Sequence, residues 1–178
     1  MASKYYDPDA ILTEAQKAPC TFELTVPELS ALNAGSTVEV GTKLDLPLWL
    51  AEMLAMSKPA GPSSSLASMD VPSALGPKVM AALAAGPKSV DIRAQAQWFY
   101  GMGERILNLF DDEELADVLS KTFRERALEI ADKAQNTRSM GEGDEFMRGL
   151  ERSERELFRA AHEGNAAVKK WSVTSSRP

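Results

Sequence analysis

Hydrophobic positions change their period along the chain, and the change divides it. Phe22, Leu24 and Val26 alternate with polar residues, the spacing of a half-buried strand, and Pro27 ends the run. Val38, Val40, Leu44 and Leu46 predict one or two further short strands, with Gly41 as a bend or bulge and Asn33-Ala34-Gly35-Ser36 as a turn. Ahead of them, Asp7-Pro8 reads as a cap with proline at the first helical position, starting a short helix through Gln16 that Pro19 stops. Pro47 to Met56 predicts a short helix that is apolar almost throughout. Residues 1–57 thus read as a small α+β module, too small to bury much core alone.

Residues 58–73 are rich in proline, glycine and serine and read as a linker or mobile loop. From residue 74 the period is helical. Lys78 to Ala85 predicts a helix closed by Gly86-Pro87. Ile92, Ala96, Phe99, Gly103, Ile106 and Phe110 recur at helical spacing and predict one helix, capped by Ser89 or Asp91. Asp111 to Glu114 open another, placing four carboxylates at the positive end of its dipole, with an apolar stripe of Leu115, Leu119, Phe123, Ala127, Ile130 and Ala134. Gly141-Glu142-Gly143 breaks the chain. A last helix is expected from near Asp144, carrying Phe146, Leu150, Leu157, Phe158 and Ala161. Its other face holds Glu151, Arg152, Glu154, Arg155 and Glu156, and reads as solvated, with opposite charges at i,i+4 (Glu151–Arg155 and Arg152–Glu156). The expected fold class is α+β, mostly α: a small N-terminal β-containing module (1–57), a connection (58–73) and a helical-bundle domain (74–178).

Charge sharpens this division. The net charge is −6, and residues 1–57 carry most of it, eight acids against three bases. The helical part is charge-rich but nearly balanced. A chain that binds a phosphate backbone by itself usually shows a clustered basic surface, so balance lowers the odds of direct nucleic-acid binding. With a single cysteine, Cys20, no intrachain disulfide can form, which suits a reducing compartment. No apolar run reaches the roughly 20 residues of a membrane span, and the N-terminus lacks the apolar core of a signal peptide, so a soluble intracellular protein is expected.

Reactive chemistry is sparse. His162 is the only histidine and has no ligand-spaced Cys or carboxylate, so it reads as a surface residue. Cys20 lies in the alternating run without an obvious histidine and reads as a small buried apolar residue. Gly101-Met102-Gly103 sits inside a helical pattern and position 106 is Ile, so it is not a phosphate loop. Close approach of another helix would offset the cost of helical glycine, about 1 kcal/mol each. Trp98, Phe99 and Tyr100 just before cannot all face one core; a partner chain and a second helix layer of this chain are weighed about evenly. Asp111 to Glu114 do not converge on a point and lack the alternation of a calcium loop, so no metal site is expected. Arg148, Arg152, Arg155 and Arg159 are interleaved with glutamates and read as a salt-bridged solvated face. Trp49 admits two readings: core packing within the module, or an anchor onto a partner or the helical part.

The string Gly41-Thr42-Lys43-Leu44-Asp45-Leu46-Pro47-Leu48-Trp49-Leu50-Ala51 joins an extended piece to a helix and holds nothing reactive. With Pro19-Cys20-Thr21-Phe22-Glu23-Leu24 upstream and Phe99-Tyr100-Gly101-Met102-Gly103 downstream, it resembles the signature of the Psf-three subunits of the GINS replication complex. That resemblance implies a non-catalytic scaffold without cofactor or metal, in a heterotetramer with the Psf-one, Psf-two and Sld-five subunits. It also implies that the tetramer joins the minichromosome maintenance (MCM) ring and the Cdc forty-five protein in the replicative helicase, in the nucleus, with the ATP chemistry in the ring. Neither sequence-specific nucleic-acid binding nor a membrane is expected. The interface and packing candidates are Leu44, Leu46, Pro47, Trp49, Leu50, Trp98, Phe99, Tyr100 and Gly103. The rival readings are a stand-alone nucleic-acid module, a small enzyme, and a generic helical adaptor outside replication.

Overall fold

The computed structural model describes residues 6–59, 61, 64–136 and 146–175. Contacts divide the chain into two compact units, Met1–Gly76 and Pro77–Pro178.

In the first unit, α1 (Pro8–Glu14) is capped by Asp7, whose Oδ1 accepts from the Asp9 N–H. Strand β1 (Lys17–Phe22) follows, then a 3-10 segment Pro27–Asn33, β2 (Lys43–Pro47), α2 (Leu48–Met56) and β3 (Ala67–Met69). The sheet is antiparallel in the order β2-β1-β3, with Cys20 opposite both Leu44 and Met69. The central strand therefore runs earlier than the alternation of Phe22, Leu24 and Val26 suggests, and it contains Pro19. Proline fits there because its missing N–H faces β3 where that pairing ends: the Pro19 carbonyl accepts from Asp70 N–H at 2.8 Å and no return bond is required. Val26 and Val38 form only an isolated bridge. Gly41, at φ +84, makes the bend into β2, a conformation that a side chain would strain.

Two expectations change here. Pro47 is the last residue of β2 and precedes the helix rather than opening its first turn. Strand β3 lies inside the stretch read as a linker; Ala-Ser-Met has little intrinsic strand preference, and the open edge of β1 supplies it. Ala18, Cys20 and Phe22 point from β1 into a core with Leu46, Leu48, Ala51, Leu54 and Ala67.

In the second unit, α3 (Pro77–Ala85), α4 (Ile92–Gln95), α5 (Phe99–Leu109), α6 (Glu113–Asn136) and α7 (Arg152–Ser175) follow one another. The single helix expected over 92–110 is two. Ala96 is extended (φ −158, ψ 141), and the chain turns before restarting at Phe99. Asp91, not Ser89, caps α4 through the Ala94 N–H. Asp112 caps α6 by accepting from the Leu115 N–H, so only Glu113 and Glu114 lie in its first turn. The apolar stripe of α6 also shifts. Leu115, Leu119, Ile130 and Ala134 are buried as expected, but Thr122 and Arg126 continue the stripe, while Phe123 is 39% exposed. The Gly141–Gly143 break and the start near Asp144 lie outside the described residues. The last long helix begins at Arg152, after a turn at 149–150.

Arg126 meets Glu154, and the Ala134 carbonyl meets His162, so contacts advance in step and α6 and α7 run parallel. Between them lie Ile130, Ala134, Leu150 and Phe158, with Phe146 and Leu157 against this core. At this register α6 ends opposite residue 164, and the last turns of α7 extend past it by about 1.5 Å per residue.

Candidate functional site

The reactive candidates are spoken for. Cys20 is buried in β1, and burial first, then Asp70 and Asp45, push its thiol up to about 11, so it stays protonated. The His162 ring stacks on Phe158 with centroids 6.2 Å apart, its Nδ1 3.3 Å from the Ala134 carbonyl. Among the described residues no group of His, Cys, Asp or Glu is placed to hold a metal, and no helix is long and apolar enough to cross a membrane.

What the helical unit does contain is a buried polar network. Arg126 pairs with Glu154 through Nε and through Nη2, the latter at 2.9 Å to Oε2. Its Nη1 donates to the carbonyls of Pro87 (3.1 Å) and Val90 (3.2 Å), pinning the loop ahead of α4 to α6. Tyr100 donates its hydroxyl to Glu154 Oε1 at 3.1 Å. Glu151 Oε2 accepts from the Ser153 and Glu154 N–H groups, while Glu154 Oε2 accepts from the Glu151 N–H at 3.2 Å. The last two bonds form a capping box with glutamate at the cap.

Burial opposes the charge of Arg126, but the hydrogen bond and charge of Glu154 outweigh it and hold its pKa above the ordinary value. Burial, then Glu154, pushes the Tyr100 phenol well up. Burial likewise raises the Glu151 carboxyl to about 7 despite its backbone donors. The solvated-face reading of Glu151 and Glu154 is therefore overturned: both are fully buried. The available signal was the E-x-x-E spacing at 151 and 154, together with Arg126 one helical turn from Thr122 and Ile130 on the buried side of α6.

The sequence candidates separate by surface. Leu46 is buried, and Leu44, Pro47 and Leu50 are half-buried. Trp49 is 46% exposed. Phe99 is fully buried and meets Tyr100 edge to face at 5.6 Å; Tyr100 meets Phe123 in the same way at 5.1 Å. Trp98 is half-buried at the N-cap of α5. Gly103 is where α5 touches α6: a Cβ there would come within 2.6 Å of Leu119 Cδ1.

Two outward apolar faces emerge beyond these candidates. On α2, Trp49, Met53 and Met56 follow each other at i, i+4 and i+7, opposite the buried Leu48, Ala51 and Leu54. Beyond the end of α6, the last turns of α7 expose Val168 and Trp171. A helix apolar on every side is one whose faces are all meant to be covered, and α2 carries that signal in its composition.

Comparison with known proteins bears on both units. Residues 6–56 match a family model described as the PSF3 N-terminal domain, and residues 74–173 match one described as the GINS complex protein helical bundle domain. The chain is 53% identical over 178 residues to the DNA replication complex GINS protein PSF3 of Phaeosphaeria nodorum, covering 98% of this chain and 99% of that one. It is 50% identical to the protein of the same description in Aspergillus fumigatus (94% and 96% covered) and 35% identical to that of Schizosaccharomyces pombe (97% and 99% covered).

Proposed function

Because the chain belongs to the PSF3 family of GINS complex subunits, we propose that it is a non-catalytic scaffold subunit of the GINS complex in DNA replication. The observation that carries the scaffold reading is the outward apolar face of α2, Trp49, Met53 and Met56, in a chain whose buried Arg126 and Glu154 are paired with each other. Soluble chains rarely leave such faces uncovered, and a partner subunit is the cover that fits the family. In this proposal the chain assembles with Psf-one, Psf-two and Sld-five, and through them with the MCM ring and the Cdc forty-five protein, in the nucleus. ATP chemistry stays in the ring. The small N-terminal module and the helical module act as separate binding units. Trp49, with Leu50, belongs to the assembly surface, whereas Leu46 packs within the first unit, and Phe99 and Gly103 within the second.

Co-expression with the three other GINS subunits, followed by size-exclusion chromatography with light scattering, tests this. A particle containing the four chains in equal amounts is expected. Elution of this chain alone while the other three assemble would overturn the proposal.

A further inference from the structure

By spacing, the arginines of α7 are neutralised by the glutamates between them. The fold undoes that pairing. Glu151 turns back onto the start of α7, and Glu154 is taken up by Arg126 and Tyr100; both are fully buried. Of the interleaved glutamates only Glu156 stays outside, and it meets Arg152 at 2.8 Å. Arg93 of α4 joins the arginines left behind. Its Nη1 donates to the Arg148 carbonyl, and the Arg152 N–H donates to the Gln97 carbonyl at 3.3 Å, which holds the 92–97 segment against the first turn of α7.

The result is a face carrying Arg93, Arg152, Arg155 and Arg159. Burial, and then the charges of Arg93, Arg152 and Arg159, lower the pKa of Arg155, which Glu151 offsets only in part. Among the described residues neither Arg155 nor Arg159 forms an ion pair, and Arg155 Nε is buried without a hydrogen-bond acceptor. Like charges one turn apart on a helix destabilise it, so the free chain carries a repulsion that external carboxylates would relieve.

We propose that this face docks a carboxylate-rich helical segment of another protein chain. Arg152, Arg155 and Arg159 lie at i, i+3 and i+7, a stripe about 10 Å long at 1.5 Å per residue, which two turns of an acidic helix would match. Guanidinium groups take carboxylates through paired N–H donors, and the outer nitrogens of Arg155 and Arg159 are the ones such a partner would meet. Nucleic acid fits less well. Four arginines are fewer than the roughly 6–10 phosphate contacts of a typical DNA-binding surface, and the chain as a whole carries −6. The inference goes beyond the assembly reading and is tested on the full chain alone, so failure of the four-chain particle to form does not bear on it.

The test is fluorescence anisotropy of a labelled helical peptide with a glutamate stripe at three- and four-residue spacing, titrated with the full chain. Single-stranded and duplex DNA oligonucleotides serve as competitors. Arg155→Glu/Arg159→Glu is expected to weaken peptide binding by about tenfold or more. Lys169→Glu/Lys170→Glu, further along the same helix, should change it by less than about twofold. Arg155→Gln/Arg159→Gln provides the comparison if charge reversal impairs folding, and a lysine-striped peptide should bind the reversed variant. No binding of the acidic peptide by the unaltered chain, equal losses in the two double variants, or tighter binding of DNA than of peptide would each overturn the proposal.

Discussion

Arg126 occupies an apolar position of α6 and is 8% exposed, so its charge stands or falls with Glu154. Replacing it by methionine keeps an apolar stem but leaves a buried carboxylate with no opposing charge, held only by the Tyr100 hydroxyl and the Glu151 N–H. Arg126→Met is expected to lower the stability of the full chain by about 3–5 kcal/mol, the cost of breaking a buried pair from one side, read by urea unfolding at 222 nm. Glu151 makes a prediction of opposite character. Its folded carboxyl titrates at about 7, above its ordinary 4.5, so the folded state holds this proton more tightly than the unfolded state does. The stability it contributes is fully present below pH 4.5, declines as pH rises and is lost above about 7. The total is on the order of 3 kcal/mol. Glu151→Gln keeps an acceptor for the Ser153 and Glu154 N–H groups and removes the titration. The variant should therefore flatten the decline in urea midpoint between pH 5 and 7.5; an unchanged slope would show that another group is responsible.

At the scale of elements, the contact of α5 with α6 turns on Gly103. Alanine gains about 1 kcal/mol of helix propensity over glycine, but its Cβ would press on the Leu119 Cδ1 methyl at 2.6 Å. The Leu119 side chain can rotate, at an overpacking cost of about 1–3 kcal/mol. Gly103→Ala is thus expected to be near neutral to destabilising by about 2 kcal/mol, and Gly103→Val to be worse because a branched side chain meets Leu119 regardless of rotamer. Thermal unfolding of the pair ranks them, and equal midpoints would mean that the two helices move apart without cost. The break between α4 and α5 is explained at the same scale. Ile92 and Phe99 are both fully buried, and the extended Ala96 lets each reach the core without one helix axis having to serve both.

For the whole molecule, the outward apolar faces decide its solution behaviour. Trp49, Met53 and Met56 on α2 remain exposed in the isolated chain, so it is expected to show a mass that rises with concentration in light scattering. Trp49→Lys/Met53→Lys should suppress that rise while shifting the unfolding midpoint little, since exposed positions contribute little to stability. In co-expression the same variant should lose the four-chain particle. A monodisperse monomer at all concentrations would instead place the α2 face outside any assembly surface.

Local chemistry made much of this legible in advance. The Asp7-Pro8 start, the Gly86-Pro87 stop and the two ends of the α6 stripe, Leu115–Leu119 and Ile130–Ala134, rest on near neighbours and lie where their spacing puts them, although Phe123 between them does not. The α+β fold class was legible for the same reason, because the apolar period itself changes. What spacing could not supply was anything decided by a partner far along the chain. Ala67-Ser68-Met69 is a strand because β1 offers it an edge, and the 92–110 helix breaks because two buried anchors need different directions. Above all, Glu151 and Glu154 look like surface charges beside their arginines until α6 brings Arg126 against them. A charge pattern fixes which residues are neighbours on a helix, but only packing decides which of them keep water, and with it where the basic face of this protein lies.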